Sequence, residues 1–388
     1  MARALSSVAH PLPTLPAALR QLARLRGRQI GLRHKRLGIW QEFSWQALAD
    51  EVARLVSQLA GLGLSQGDTL LVLSSPRPEA LLLTLAAQTL GAEVTALDPL
   101  LPPASLTPLL QYAAPRLVFA EGPAQLAQTQ AALGADVPVV YADGQRLGKA
   151  AHAANRVAYA QALTSPPAEA SILAVDPDAV AFRFLRLSEG GIEQYTLSHA
   201  FLLGEAAQLI ASEGLQASDS ALAARAFAAT AQVRYLLAPW LVAGFALNFP
   251  ENLATRDHDR RELGPTLVAG THDTYGRLAA LVQARLPNRG HWQRRLVDWA
   301  LAPAPGALRR GLGYWLVRRP LLDVLGLIHT RHPLLIGPPL SADTERLFAA
   351  LGVKVRTLPD LADWQAVLPP VSAADDFAVL AASQAGAC

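Results

Sequence analysis

The sequence predicts an α/β protein whose sheets are mostly parallel. Three short, mainly apolar runs at residues 69–73, 94–97 and 116–120 have the length and composition of buried strands. Helical patterns at 79–90 and 106–112 lie between them. Strands that are apolar on both faces and alternate with helices are typical of parallel sheets covered on both sides. Hydrophobic residues make up 51% of the chain and charged residues 17%, so a large core can be buried.

The segment before these strands has the pattern of a β-hairpin followed by a helix. Residues 30–43 form the predicted hairpin, with Gly38 near its turn. Ser44 can cap the next helix, and Gly61 and Gly63 can end it. Apolar residues recur on one face of that helix at Leu48, Val52, Leu55, Val56 and Leu59.

The middle of the chain is less regular. Residues 122–173 are rich in Ala, Gln and Pro. They predict one helix at 124–133, one strand at 137–141 and a linker at 165–168.

The stretch 178–201, DAVAFRFLRLSEGGIEQYTLSHAF, is the part of the chain that suggests a binding function. It predicts a strand at 180–187, a turn, and a helix at 200–210 with Thr196 and Ser198 as candidate caps. A strand, a Gly-rich loop and a helix in this order are the setting of phosphate-binding loops.

The turn has the composition of a phosphate loop only in part. Such loops need successive small residues, so that backbone N–H groups face the anion, and usually a basic residue beside them. Here Gly190 and Gly191 follow Ser188, but Glu189 and Glu193 are anionic. A carboxylate repels a phosphate by about 1 kcal/mol at about 4 Å in water, and by more in a buried site. The sequence therefore predicts a degenerate phosphate loop at these five positions.

Charge and cysteine content exclude several classes of protein. The net charge of +3 is small for 388 residues, and no basic run with interleaved aromatics marks a nucleic-acid face, so no nucleic-acid partner is predicted. The single cysteine, Cys388, forms no intrachain disulfide and fits a reducing cytosol. No run reaches the roughly 18 apolar residues that a membrane helix needs. We therefore expect a cytoplasmic protein without a metal site.

Residues 292–319 combine aromatic and basic side chains. Amphipathic segments of this composition lie in membrane interfaces, which would place the protein peripherally on the inner face of the membrane. The same composition also fits a helical pair that packs its tryptophans into the core while the arginines reach solvent. Both interpretations stay open on the sequence alone. The membrane-surface candidates are Trp292, Arg294, Arg295, Trp299, Arg309, Arg310 and Trp315.

The phosphate-loop stretch resembles a motif of a known superfamily. Counted back from Ser198-His199, it reads FLRLSEGGIEQYTLSH. This is similar to the loop YTSGTTGxPKGVxxSH of adenylate-forming (AMP-binding) enzymes. Phe184 falls on the opening aromatic and Gly190 on a family glycine, whereas Glu193 stands where the family has its lysine.

The flanking sequence resembles bacterial long-chain acyl-CoA synthetases. Residues 40–68 follow the pattern WxxxTWxxLxxxVxxLAxGLxxLGLxxGDxV through Trp40, Trp45 and Gly67-Asp68. PRPEAL and LAAQTLGA are similar to the family's NRPEWL and LAAQALGA, and LLIGPPL to its LxxSGGAPL. The family's following YGxTE, which serves nucleotide and magnesium, is replaced by LPDLADW.

The resemblance covers nearly the whole chain and implies a fold. This is the large N-terminal domain of adenylate-forming enzymes, built from two related, layered α/β subdomains with mostly parallel sheets at 25–170 and 171–370. Residues 1–24 are then an N-terminal extension and 371–388 a tail. The family's C-terminal domain, with its adenylation lysine, is expected to be absent, so the chain would be a truncated member.

The resemblance also implies positions for a site. Tyr275, Gly337 and Pro339 fall on acyl-pocket or loop positions of the family. The family's Pro-Leu-x-His segment is replaced near Arg225, without a histidine. His272 is a candidate acid or base, although a lone histidine is more often structural or exposed.

The activity that the family implies is ATP-dependent ligation of a fatty acid to CoA, with ATP, magnesium and CoA as cofactors. Its triphosphate loop, magnesium carboxylate and lysine are substituted or missing in this chain, and loss of one such group typically costs 10²–10³ in rate. We therefore expect a pseudoenzyme without catalytic residues or cofactors, which binds a fatty acyl ligand or a protein such as an active synthetase. Two alternatives stay open: an active fatty acid–CoA ligase completed by a separate C-terminal domain, and a membrane-surface adaptor.

Overall fold

The computed structural model describes residues 12–142, 155–168, 174–288, 290–302 and 306–360. The predicted tail at 371–388 and residues 1–11 of the predicted extension lie outside these residues. Within them the chain forms two seven-stranded sheets and the helices that cover them.

Fourteen strands occur in the described residues. In chain order they are β1 (Ile30–Arg36), β2 (Ile39–Ser44), β3 (Thr69–Leu73), β4 (Glu93–Leu97), β5 (Leu117–Ala120), β6 (Val139–Tyr141), β7 (Arg156–Ala158), β8 (Val180–Ser188), β9 (Gly191–Ser198), β10 (Ser220–Leu222), β11 (Ala246–Phe249), β12 (Leu267–Thr271), β13 (His332–Ile336) and β14 (Arg356–Leu358).

The helices of the same residues are mostly short. They are α1 (Leu15–Arg26), α2 (Trp45–Gly61), α3 (Pro78–Thr89), α4 (Pro103–Ala113), α5 (Pro123–Leu133), α6 (Tyr159–Ala162), α7 (His199–Glu213), α8 (Thr230–Gln232), α9 (Ala238–Ala243), α10 (Arg256–Leu263), α11 (His272–Arg285), α12 (Trp292–Leu301), α13 (Ala307–Gly313), α14 (Arg319–Leu325) and α15 (Ala342–Leu351). A π-helical turn, Val233–Leu237, joins α8 to α9, and a second, Tyr314–Arg318, joins α13 to α14.

Both sheets are parallel except at one edge. The first sheet has the order β7-β6-β5-β3-β4-β8-β9, and only its β8–β9 pair is antiparallel. The second has the order β14-β13-β12-β10-β11-β1-β2, and only its β1–β2 pair is antiparallel. The α/β class with mostly parallel sheets is confirmed.

The chain does not fill the two sheets one after the other. The hairpin β1–β2 lies in the second sheet, where Leu32 of β1 pairs with Leu247 of β11. The hairpin β8–β9 lies in the first sheet, where Phe182 of β8 pairs with Val94 of β4. The sheets therefore do not divide at residue 170. A hairpin carries no local signal for the sheet edge that it joins, because that choice depends on distant strands.

One continuous apolar core joins the two sheets. The rings of Trp45 and Trp240 stack with centroids 4.9 Å apart, and both are fully buried. The Trp240 indole N–H donates to the carbonyl of Gly31 over 2.8 Å. A Cβ at Gly31 would lie 2.7 Å from the Trp45 ring, so only glycine fits beneath this pair.

The helix predicted after the first hairpin is α2. The Ser44 hydroxyl accepts a hydrogen bond from the Ala47 N–H at 3.2 Å, which confirms the predicted cap. The five apolar positions predicted for its inner face are all buried. For α7 the cap is Ser198, which accepts from the Phe201 N–H at 3.2 Å. Thr196, the other predicted cap, instead pairs with Arg183 inside the β8–β9 ladder.

Candidate ligand-binding cleft

A cleft of about 450 Å³ opens where the carboxyl ends of strands from both sheets meet. Ser75 and Pro76 follow β3, and Asp98 follows β4. From the second sheet, Ala224 follows β10 and Thr271 ends β12. In open α/β sheets, this end of the strands is where ligands bind. The volume lies within the range of small-molecule sites.

The wall of the cleft is mainly apolar. Small and aliphatic side chains without a polar atom cover most of it. These residues are Pro76, Leu100, Leu222, Ala224, Ala226, Ala228, Ala229, Leu253, Pro265, Leu267, Val268, Ala269 and Ala280.

Four arginines, Arg225, Arg256, Arg260 and Arg277, line the same space. Arg260 is 5% exposed. Its Nη1 lies 2.9 Å from Asp257 Oδ1 and its Nε donates to the Leu325 carbonyl over 3.0 Å. Its Nη2 is buried and has no hydrogen-bond partner among the described residues. The same is true of Nε of Arg277. Buried donors without an acceptor are costly, so they favour an anion in the cleft.

The cationic groups are close enough to affect one another. Burial lowers the pKa of Arg260 below its ordinary value; Asp257 opposes this change and Arg277 adds to it. Burial also lowers the pKa of Arg225, and Arg277 again adds to the effect while Asp273 and Asp98 oppose it. The pKa of Asp98 is raised by burial. The cleft therefore holds more positive than negative charge in a partly desolvated space.

Arg225 is oriented by the end of β12. Its Nη1 donates to the Thr271 hydroxyl over 2.8 Å. His272, the next residue along, is exposed at the rim, and its Nδ1 lies 3.8 Å from Asp273 Oδ1, beyond hydrogen-bond range. His272 thus has no aligned carboxylate that would make it a general base.

The predicted phosphate loop has a different structure from the one expected. Residues 180–198 form a tight β-hairpin rather than a strand and an open loop before the helix. Ser188 pairs with Gly191, so Glu189 and Gly190 alone make the turn. The Ser188 hydroxyl closes it by donating to the Gly191 carbonyl over 3.1 Å. None of these residues lines the cleft.

Glu193 has a partner within the hairpin. It faces Arg186 across the ladder, with Arg186 Nη2 2.6 Å from Glu193 Oε2. The hydrogen bond from Arg186 lowers the pKa of the Glu193 carboxyl. The carboxylate at the position of the family lysine is therefore ionised and paired.

The acyl-site positions implied by the resemblance lie elsewhere in the described structure. Tyr275 is fully buried and its hydroxyl donates to the Leu334 carbonyl over 3.2 Å, while its ring meets Phe348 edge-on at 5.3 Å. Gly337 continues the β13–β14 ladder through its N–H to the Leu358 carbonyl. Pro339 is exposed on the following loop. None of the three lines the cleft.

The membrane-surface candidates lie together, apart from the cleft. All seven are on α12, α13 and the π-helical turn that follows, and the tryptophans among them are exposed. In the described residues no helix is long and apolar enough to cross a bilayer. Within the same ranges, no group of three or more His, Cys, Asp and Glu side chains is placed to hold a metal ion.

Comparison with known proteins connects this architecture to a family. Residues 22–182 match the family described as AMP-binding enzyme. The match covers less than half of the chain. Among curated proteins, no sequence matches the chain.

Solved structures extend the likeness to the rest of the chain. Apo MatB from Rhodopseudomonas palustris superposes with a TM-score of 0.65 at 18% identity, over 89% of this chain and 59% of that protein. The anthranilate CoA ligase AuaEII, solved with anthranoyl-AMP, gives 0.66 at 15% identity, over 89% and 58%. A putative long-chain-fatty-acid CoA ligase from R. palustris gives 0.61 at 15% identity, over 89% and 74%. The fold is that of the N-terminal domain of adenylate-forming enzymes, and the chain spans less than two thirds of the first two relatives.

The hairpin tip does not fit the triphosphate that AMP-binding enzymes use. A phosphate cradle presents several backbone N–H groups to one concave space. A two-residue turn between the paired Ser188 and Gly191 leaves no such space. The carboxylates of Glu189 and Glu193 add charge of the wrong sign.

Sequence reasoning missed the arginines as site residues. Arg225 is noticeable only as a replacement within a family motif, and the other three arginines carry no sequence signal. Their sole sequence signal is Arg225 in place of the apolar start of the Pro-Leu-x-His segment of AMP-binding enzymes. The four come together because β10, α10 and α11 converge at one end of the second sheet.

Proposed function

We propose that this chain is a non-adenylating relative of the acyl-CoA ligases that binds an acyl ligand with an anionic head group, such as a fatty acid. The observation that carries the proposal is the convergence of four guanidinium groups on an apolar cleft. An apolar wall accommodates the acyl chain, and guanidinium groups are the preferred partners of carboxylates.

The charges in the cleft support an anionic head group over a neutral one. Burial lowers the pKa of Arg225 and of Arg260, and the positive charge of Arg277 adds to this effect at both. An anion among them offsets this repulsion and supplies acceptors for the unpartnered donors of Arg260 and Arg277. The methyl ester of the same fatty acid carries no charge, so its head group gains much less binding energy from the arginines.

We infer the absence of adenylation activity from the structure of the β8–β9 hairpin. Its tip offers a triphosphate no cradle, and Glu193 stands where the family has a lysine. Removal of one electrostatic group of this kind typically costs 10²–10³ in rate, so several substitutions together leave no useful turnover.

Calorimetric titration tests the proposal. The purified chain is titrated with octanoate, laurate and palmitate, and separately with their methyl esters. We expect at least one acid to bind, and its ester to bind at least about tenfold more weakly, because a charged hydrogen bond contributes about 1.5–3 kcal/mol. Equal affinity for acid and ester would overturn the assignment of the arginines.

Two variants on the same helix sharpen the test. Arg277→Met removes a cleft guanidinium, and Arg285→Met removes an exposed one at the end of α11. We expect a 10- to 100-fold loss of acid affinity for the first and no change for the second. Pyrophosphate exchange into ATP is measured alongside. Exchange that depends on the bound acid would show an active ligase and end the proposal.

A further inference from the structure

The connection from β12 to β13 contains more helix than the fold needs. A parallel crossover requires one helix, and α11 supplies it. Residues 292–302 and 306–325 add α12, α13, the second π-helical turn and α14 before β13 begins. We refer to these residues as the helical arm. Helix α12 of the arm is weakly buried, since Ala300 is its only buried residue.

Large exposed apolar side chains concentrate on the helical arm. Six of the thirteen found in the described residues are within it, and the other seven are scattered over the rest of the surface. Contiguous exposed apolar surface marks an interaction site, whereas single exposed side chains do not. The six are Trp292 (70% exposed), Trp299 (38%), Leu312 (48%), Tyr314 (39%), Trp315 (62%) and Leu316 (57%).

The spacing of these residues places them on one side of each helix. Trp292 and Trp299 are seven residues apart, which is two turns of α12. Leu312, Trp315 and Leu316 are spaced by three and four residues along the second helical segment. α12 and the segment 312–316 therefore each present exposed apolar side chains.

The two helical segments are held together by specific contacts. A Cβ at Gly313 would lie 3.2 Å from the Ala300 Cβ, so the segments cross at close range. Arg309 Nε donates to the Trp299 carbonyl over 2.5 Å, and Arg318 Nη2 to the Ala300 carbonyl over 3.0 Å. These bonds use the carbonyls at the end of α12, so the exposed faces keep a fixed relation to each other.

The helical arm also carries an excess of positive charge. It contains six arginines and two aspartates, an excess of four positive charges, whereas the whole chain has a net charge of +3. Arg294 pairs with Asp298, and Asp323 lies 3.5 Å from Arg261. Arg295 and Arg319 form no ion pair among the described residues and are exposed.

Guanidinium groups lie beside aromatic rings on this surface. The Arg319 guanidinium lies 4.6 Å from the Trp315 ring centroid, and that of Arg309 lies 5.6 Å from the Trp299 ring centroid. Tryptophan prefers the boundary between headgroups and acyl chains, and arginine beside it reaches anionic headgroups. A guanidinium stacked on such a ring keeps its charge while the ring is partly buried.

We propose that the helical arm docks the protein on the surface of a bilayer that contains anionic lipid. Tryptophan and leucine side chains enter the interface, and Arg295 and Arg319 contact the headgroups. The excess positive charge, complementary to anionic headgroups, favours this occupant over a protein surface. The contact is peripheral and does not depend on the cleft or its ligand.

Vesicle co-sedimentation of the full chain tests this inference. Vesicles of phosphatidylcholine alone are compared with vesicles that also contain phosphatidylglycerol, at low and at physiological ionic strength. We expect binding to the anionic vesicles, weakened by salt, and much weaker binding to the neutral ones. A tryptophan emission shift to shorter wavelength accompanies binding.

Two double variants separate the contribution of the arginines to vesicle binding from that of the tryptophans. Arg295→Gln with Arg319→Gln lowers the partition coefficient about 30-fold, since each basic residue near an anionic surface contributes about fivefold. Trp292→Ala with Trp315→Ala lowers it about tenfold or more and reduces the emission shift, of which Trp299 retains a part. The control is Ile39→Ala with Arg346→Gln, an exposed apolar and an exposed basic residue outside the arm, which leaves binding unchanged.

Several outcomes would overturn the inference. These are equal binding to neutral and anionic vesicles, no binding to either, and binding that the arm variants do not weaken. Sedimentation velocity, which measures the oligomeric state, can give a further contradicting outcome. If the chain forms a dimer that Trp315→Ala abolishes, and does not bind vesicles, the arm contacts a second copy rather than a membrane. Equal thermal midpoints for wild type and variants exclude unfolding as the cause of any loss.

Discussion

Arg186 and Glu193 face each other across the β8–β9 hairpin, with Arg186 Nη2 2.6 Å from Glu193 Oε2. Relative to the AMP-binding loop, both members of this pair are changed: arginine stands at a small residue and glutamate at the lysine. Opposite charges at facing positions stabilise an antiparallel pair. The reversal at 193 is thus part of a compensated arrangement that closes the hairpin.

Restoring the family lysine alone is expected to leave adenylation absent. Glu193→Lys would place two positive charges opposite each other and would still leave a two-residue turn without a cradle. We expect no exchange of pyrophosphate into ATP and no measurable binding of Mg·ATP. Circular dichroism of the variant controls for folding. Exchange that appears in the variant alone would show that the hairpin opens to accept a triphosphate.

The fold could be predicted from the sequence much further than the site. Mainly apolar strands and the Ser44 cap are local signals, and they gave the α/β class and the bounds of α2 closely. The second strand of the hairpin, β9, was missed because its polar, exposed residues look like a loop. Its signal was the Ile, Tyr and Thr at 192, 195 and 196, residue types that favour strands.

The arginine cluster could not be predicted for a different reason. Arg225 follows β10, Arg260 lies on α10 and Arg277 on α11. Each alone has the appearance of an ordinary surface arginine. Their convergence depends on the parallel order of β10 and β12, which is a long-range property of the sheet. Sequence spacing carries no information about it.

Lys35 is predicted to be a main determinant of stability. It is 5% exposed and its Nζ lies 2.8 Å from Asp259 Oδ1; Asp259 is 1% exposed, and Glu262 is a second partner of the lysine. Lys35→Met leaves a buried carboxylate without its counter-ion, which costs about 3–5 kcal/mol.

Urea unfolding checks this value against a second lysine. Lys354 is exposed, so Lys354→Met is expected to change the free energy of unfolding by less than about 0.5 kcal/mol. A loss below about 1 kcal/mol for Lys35→Met would mean that Asp259 finds another partner or is protonated in the folded state.

Tyr275 is predicted to act in folding and not in ligand binding. Tyr275→Phe removes the hydroxyl that donates to the Leu334 carbonyl and keeps the ring against Phe348. We expect a loss of about 1 kcal/mol in unfolding free energy and an unchanged affinity for a cleft ligand. Tyr314→Phe, at an exposed tyrosine, is the matched control. An affinity change in Tyr275→Phe would return this residue to the acyl site that the family resemblance implies.

His199 is predicted to make stability fall on acidification. It is 1% exposed, its Nδ1 accepts a hydrogen bond from the Leu15 N–H at 3.3 Å, and burial lowers its pKa to about 4. The folded state therefore holds His199 neutral, while the unfolded chain takes up a proton below its ordinary pKa of about 6.5. Because the unfolded state binds more protons between these two values, stability is complete above about pH 6.5 and is lost as the pH falls towards 4.

The free energy of unfolding should fall by about 2 kcal/mol between pH 7.5 and pH 5 because of His199. His199→Asn keeps an acceptor for the Leu15 N–H but does not titrate, so its free energy of unfolding should decline less over the same interval. Burial also lowers the pKa of His34, whose contribution has the same sign and persists in both proteins. The difference between the two denaturation profiles therefore isolates His199. Parallel profiles would mean that His199 is protonated in the folded protein and that the Leu15 N–H has a different acceptor.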